Sequence, residues 1–245
     1  MLVSDWRGFK SHQSESSNLI RPFCIKLHMS LSDKIANMPR YTKIGFFAPL
    51  IALTTIAVSI LLAPGFDWIT NALSDLGNYT VFFLSPYKLV SAIIFNSGLI
   101  VTGILMMLYS IWFLKWTKDV PTKIGVIPLL ISLAFLIGIG VFSENFGELH
   151  YWVSVGFFLT FPFSMWLIGI GWLRFSSLRW FSVVSIILPF LSVVMWADYM
   201  NGTSPWQQAV PEIVTAFSAI VWLWIINLMQ YQGKLSMIGE GVESE

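Results

Sequence analysis

The sequence predicts an all-α, polytopic membrane protein with six transmembrane helices and a short interfacial helix after the first. Two observations carry this reading. Six stretches, 44–63, 90–113, 124–142, 151–173, 180–197 and 213–229, contain no Asp, Glu, Lys or Arg. Each is close to the ~17–25 residues that a helix needs to cross a bilayer's hydrocarbon core. The chain is also 56% hydrophobic and 11% charged, with mean hydropathy +0.73, whereas a soluble domain carries about 25% charge. A soluble fold of this composition would have little polar surface to present to water.

Residues 1–42 form a polar, serine-rich extension (Ser11, Ser14, Ser16, Ser17) without an apolar run long enough for a signal peptide. They are expected to be a disordered cytoplasmic segment, followed by a six-helix domain over 43–230. After the first crossing, Asp67, Thr70, Asn71, Ser74 and Asp75 fall at i, i+3, i+4, i+7 and i+8, which is one helix face. Trp68, Ile69, Ala72, Leu73 and Leu76 take the other face and Gly77 is a natural stop, so this segment predicts a helix lying at the interface. Ser85-Pro86 predicts the start of the second crossing, and Ser204-Pro205 with Gln207 a capping box before the sixth. Gly156, Thr160 and Ser164 recur every four residues, as do Ala134 with Gly138 and Thr215 with Ala219. Small residues at that spacing let membrane helices approach closely. Residues 231–245 end in Glu240, Glu243 and Glu245 and are expected to be a solvated tail.

The loops divide by charge sign. Lys34, Arg40, Lys43, Lys115, Lys118, Lys123, Arg174, Arg179 and Lys234 flank the crossings on one side, against Lys88 alone on the other. Nine cations against one predict a multi-pass cell-membrane protein with both termini in the cytoplasm. Trp68, Trp116, Trp152, Trp172, Trp180 and Trp196 lie at segment ends, where interfacial belts form.

The predicted exterior ends gather ionisable side chains. Asp75, Glu148, His150 and Glu212 are candidates for acid–base or metal chemistry, and Asn71, Ser74, Asn96, Glu144 and Asp198 for binding. Carboxylates and an imidazole at a shared membrane depth suit cation binding, proton relay or general acid–base work. Asp75 and His150 in particular are expected to lie close enough to share a site.

Other chemistries are excluded by the inventory. His150 is the one histidine among the crossings, which rules out a bis-histidine haem within one chain and a three-histidine zinc site. Cys24 is the single cysteine, so no Cys-based metal site can form. A net charge of +1 offers no basic footprint for nucleic acid. The partners implied are the lipid bilayer and a lipid headgroup or small ion, with the oligomeric state left open. The same polar face suits a proton- or cation-coupled transporter, and the small-residue stripes suit a structural subunit of a membrane complex.

Several runs resemble one family. Asn71-Ala72-Leu73-Ser74-Asp75-Leu76-Gly77 and Ile94-Phe95-Asn96-Ser97-Gly98-Leu99-Ile100 are two of them. Gly147-Glu148-Leu149-His150 with Ser154 and Phe157-Phe158, and Pro211-Glu212-Ile213, are the others. Together they are similar to the membrane family catalogued as domain of unknown function 998, over about residues 43–230. The resemblance implies a small six-helix membrane protein of a kind common in archaea and bacteria. It implies no reaction.

Overall fold

The computed structural model describes residues 35–81 and 86–239. Six long helices follow in chain order: α1 (Arg40–Leu61), α2 (Lys88–Trp116), α3 (Val120–Val141), α4 (Glu148–Trp172), α5 (Arg179–Met200) and α6 (Ala209–Tyr231). All six are long and apolar enough to cross a membrane. The shortest have 22 residues, or about 33 Å at 1.5 Å per residue, against a hydrocarbon core of ~30 Å. Among the described residues the only β pairing is an isolated bridge between Thr117 and Gly239. The fold is that of a six-span membrane protein.

Small and hydroxyl residues bring the helices together. The Ser164 hydroxyl on α4 donates to the Gly125 carbonyl on α3 at 2.8 Å, and Thr102 on α2 donates to Ala48 O on α1 at 3.3 Å. Gly140 on α3 sits so close to α2 that a Cβ there would lie 2.6 Å from the Asn96 carbonyl oxygen. Such approaches supply packing where lipid removes the hydrophobic drive between helices. Buried tryptophans complete the core through their N–H groups: Trp222 donates to Ser185 Oγ and Trp172 to Thr122 Oγ1, each at 2.7 Å.

Several local expectations change. α1 begins at Arg40, inside the segment assigned to the extension; long cationic side chains extend from a helix end to the interface without ending it. Trp172 is fully buried, because its N–H has a hydroxyl partner inside the bundle, whereas Trp68, Trp152 and Trp180 are exposed. Pro86 precedes α2 by two residues and its neighbour Ser85 lies outside the described residues. The Ser204 hydroxyl donates to Trp206 O and caps no helix, and α6 starts at Ala209. The cap that does form is Asp119, whose carboxylate accepts from Thr122 N–H at 3.0 Å ahead of Pro121 and pairs with Arg174. The segment after α6 is partly packed rather than solvated: Leu235 and Ile238 are buried, and Ile238 O accepts from Lys118 N–H at 2.8 Å. Residues 1–34, where most of the expected extension falls, and 240–245, which hold the terminal glutamates, lie outside the described residues.

Candidate functional site

At the end of the bundle that holds the acidic loops, the segment after α1 is a bent strap rather than a continuous helix. Asp67 Oδ1 accepts from Ile69 N–H at 2.6 Å and Asn71 Oδ1 accepts from Asp67 N–H at 2.8 Å. These local bonds compete with helix formation, so the helical part of the expected element is a single 3-10 turn, Ser74–Gly77. That turn is tucked into the bundle instead of lying on its surface. Ser74, Leu76 and Gly77 are buried. Ser91 Oγ donates to Leu76 O at 3.0 Å and Asn96 Nδ2 to Gly77 O at 2.9 Å. A Cβ at Gly77 would lie 2.5 Å from Asn96 Oδ1, so a larger residue there would displace the Asn96 side chain that holds the turn. From the other side, Glu212 Oε2 accepts from Leu73 N–H at 2.6 Å. Asn71 O accepts from Ala209 N–H at 3.1 Å, which ties the strap to the start of α6.

The turn brings Asp75 to Glu144, which sits in a second 3-10 turn, Glu144–Phe146, between α3 and α4. Glu144 Oε2 is buried and no N–H or O–H group among the described residues is directed at it. Its carboxyl faces that of Asp75, and such a contact needs a proton between the two groups. Burial, then the Asp75 charge and hydrogen bond, then the Glu212 charge, push the Glu144 carboxyl up to about 8, against a smaller opposite pull from the Asn78 side chain. The site thus favours the protonated form of Glu144. Asn145 secures this turn to the strap, donating to Asn78 Oδ1 at 2.7 Å and accepting from Tyr79 N–H at 3.2 Å.

Gly147 then turns the chain into α4 at φ 55°, a region that favours glycine. His150 is the third residue of α4, after Glu148 and Leu149. Its Nδ1 lies 2.8 Å from the Phe142 carbonyl oxygen, and its Nε2 lies 3.3 Å from Ser154 Oγ. A carbonyl can only accept, so Nδ1 carries a proton. In the neutral imidazole the lone pair on Nε2 then faces the Ser154 hydroxyl.

These groups border a cavity of about 880 Å³ between α4, α5 and the start of α6. One wall is polar: Ser74, Asn78, Glu144, His150, Gln208 and Glu212. The rest is mainly apolar, formed by Val155, Phe158 and Leu159 of α4 and by Val193, Trp196 and Ala197 of α5, with the Ser192 hydroxyl and the rings of Tyr151 and Tyr199 among them. Ser154 lies between the two parts. Among the described residues, no Lys or Arg lines the cavity. Leu159 and Val193 are 58% and 43% exposed, so the apolar part opens sideways through the outer surface of the bundle. A second cavity of about 100 Å³, lined mainly by apolar side chains of α1, α2, α3 and α6, meets the first at Ser74, Ser154, Phe158 and Glu212.

Of the candidates, Ser74, Glu144, His150 and Glu212 share this cavity. Asp75 lies behind it against Glu144, with Oδ2 also accepting from Ala72 N–H at 2.9 Å. No hydrogen bond joins Asp75 to His150 among the described residues: the imidazole contacts Phe142 O and Ser154 Oγ, while Asp75 faces Glu144. Asn71 and Asn96 hold the strap. Glu148 accepts from its own helix's Trp152 at 3.3 Å, and Asp198 accepts the Thr203 hydroxyl; neither lines the cavity. Among the described residues, no three His, Cys, Asp or Glu side chains are grouped to hold a metal ion. Sequence reasoning missed Asn78, Gln208 and the pairing of Ser154 with His150. The i, i+4 spacing of the last two on a helix was the available signal.

The sequence model of a family described as "Protein of unknown function (DUF998)" matches residues 46–229. The chain belongs to this family. No curated protein and no solved structure matches it. In this DUF998 protein, the match begins inside α1 and ends inside α6, so it takes in the strap, the 3-10 turns Ser74–Gly77 and Glu144–Phe146, and every cavity residue.

Proposed function

We propose that this protein binds a membrane amphiphile, held by its head at the acidic end of the bundle and by its tail in the groove between α4 and α5. The observation that carries this reading is the division of one 880 Å³ cavity into a polar wall and an apolar part open to the side. A lipid has that same division. Membrane ligands enter most cheaply from the bilayer, where the tail never leaves an apolar medium.

The wall supports a class of headgroup. It is rich in acceptors, with carboxyls at Glu144 and Glu212, and it lacks cations. A head bearing hydroxyls or an ammonium gains hydrogen bonds there, while a bare phosphate finds no cationic side chain to pair with. The excess of cations at the opposite end supports a cavity facing the exterior leaflet, with the termini in the cytoplasm. The small cavity beneath is apolar on most of its surface, which favours a bound lipid over an ion in transit.

Native mass spectrometry of the full chain, extracted in mild detergent, tests this. The expected result is one retained lipid per chain with a hydroxyl- or amine-bearing head, lost on Ala197→Trp, which fills the groove from the exposed face of α5. A chain with no lipid, or one that retains anionic phosphate lipids equally well, contradicts the proposal.

A further inference from the structure

We infer that Ser154 is a nucleophile and His150 its general base, acting on the ester carbonyl of a lipid in this cavity; the inference rests on the amphiphile reading above. Three observations converge on Ser154. Its hydroxyl faces the one imidazole nitrogen that can accept a proton, at 3.3 Å. Nucleophile–base pairs lie at about 2.6–3.2 Å and are often looser before substrate binds. The imidazole is also oriented from behind, because Phe142 O takes the Nδ1–H at 2.8 Å. A carbonyl thus fills the orienting position that a carboxylate holds in other nucleophile–base arrangements.

The third observation is depth. Ser154 stands six residues into α4 from Glu148, about 9 Å at 1.5 Å per residue. It lies where the polar wall meets the apolar groove, with Glu144 and His150 on one side and Val155 and Phe158 on the other. In an ester lipid the carbonyl occupies that same position, between head and tail. A hydroxyl serving only to satisfy His150 has no need to face a cavity, yet Ser154 borders both the large one and the small one.

The chemistry balances with water as co-reactant. Ser154 Oγ bonds to the ester carbonyl carbon as its proton passes to His150 Nε2. The carbon–oxygen bond to the alcohol then breaks, and the alcohol leaves with the proton from Nε2. Water, deprotonated by Nε2, attacks the acyl-serine, releases the fatty acid and restores the Ser154 hydroxyl. The substrate class is an ester lipid whose head bears hydroxyls or an amine.

A long-chain alkyl fluorophosphonate tests the inference on the full chain in mild detergent, with adducts mapped by peptide mass spectrometry and bound lipid measured on the same preparation. One adduct on Ser154 is expected, absent in Ser154→Ala and formed on the order of 100-fold more slowly in His150→Gln. Ser97→Ala, at an exposed serine of α2 that lines neither cavity, should still be labelled at Ser154. Wild-type protein that retains its lipid but forms no adduct, or an adduct that persists in Ser154→Ala, overturns the nucleophile and leaves the amphiphile reading standing. Wild-type protein without lipid overturns the amphiphile reading on which the inference rests.

Discussion

Glu144 is the side chain on which pH acts most directly. Its carboxyl is pushed up to about 8 from an ordinary value of 4.5, first by burial and then by Asp75. The folded protein therefore keeps a proton that the unfolded chain gives up. The resulting stabilisation is fully present below about 4.5 and is lost as pH rises through about 8. Melting temperatures of the detergent-purified chain should fall across that window, and Glu144→Gln should flatten the fall, since an amide stays neutral and can still donate to Asp75. An unchanged pH profile in Glu144→Gln would contradict the carboxyl pair. The sequence exposed Glu144, Glu212 and His150 as ionisable groups beside the crossings, but Glu148 and Asp198 look the same in sequence and point elsewhere. What separates them is the docking of the 67–77 strap, a tertiary event. Ser154 was obscured for another reason, because hydroxyl residues in membrane helices ordinarily serve packing.

At the scale of elements, charge-free length was enough to find all six helices, since every backbone polar group in lipid must be satisfied within its own helix. The segment 67–77 was less legible. Its polar residues have helical spacing, yet Asp67 and Asn71 bond to nearby backbone amides, and so short a helix has little to offset its nucleation cost. Close packing makes a sharper prediction for α3. A Cβ at Gly140 would meet the Asn96 carbonyl oxygen at 2.6 Å, whereas one at Gly138 would meet a Val153 methyl at 3.2 Å. Backbone cannot give way as a side chain can. Gly140→Ala should lower stability by about 1–3 kcal/mol, while Gly138→Ala should change it little, because alanine's better helix propensity offsets a small shift of Val153. Thermal unfolding of the two variants side by side checks this; equal losses would mean that α2 and α3 are not in contact at Gly140.

For the whole molecule, the charge division predicts sidedness. With Cys24 removed, cysteines introduced at 79–80, 145–147 or 201–204 should react with impermeant thiol reagents on intact cells, and those at 118–122 or 175–178 should not. Labelling at 118–122 in sealed cells would reverse the orientation and turn the cavity toward the cytoplasm. The central claim is that an amphiphile lies between α4 and α5 with its head on the acidic wall. Photo-crosslinking of the full chain in lipid nanodiscs, using a hydroxyl-headed lipid with a diazirine in its tail, tests it most directly. The account predicts adducts concentrated on the cavity-lining residues of 151–162 and 192–200 and suppressed by Ala197→Trp. Adducts spread equally over the exposed face of α2, at Ile93, Ile104 and Leu108, and indifferent to Ala197→Trp would contradict it.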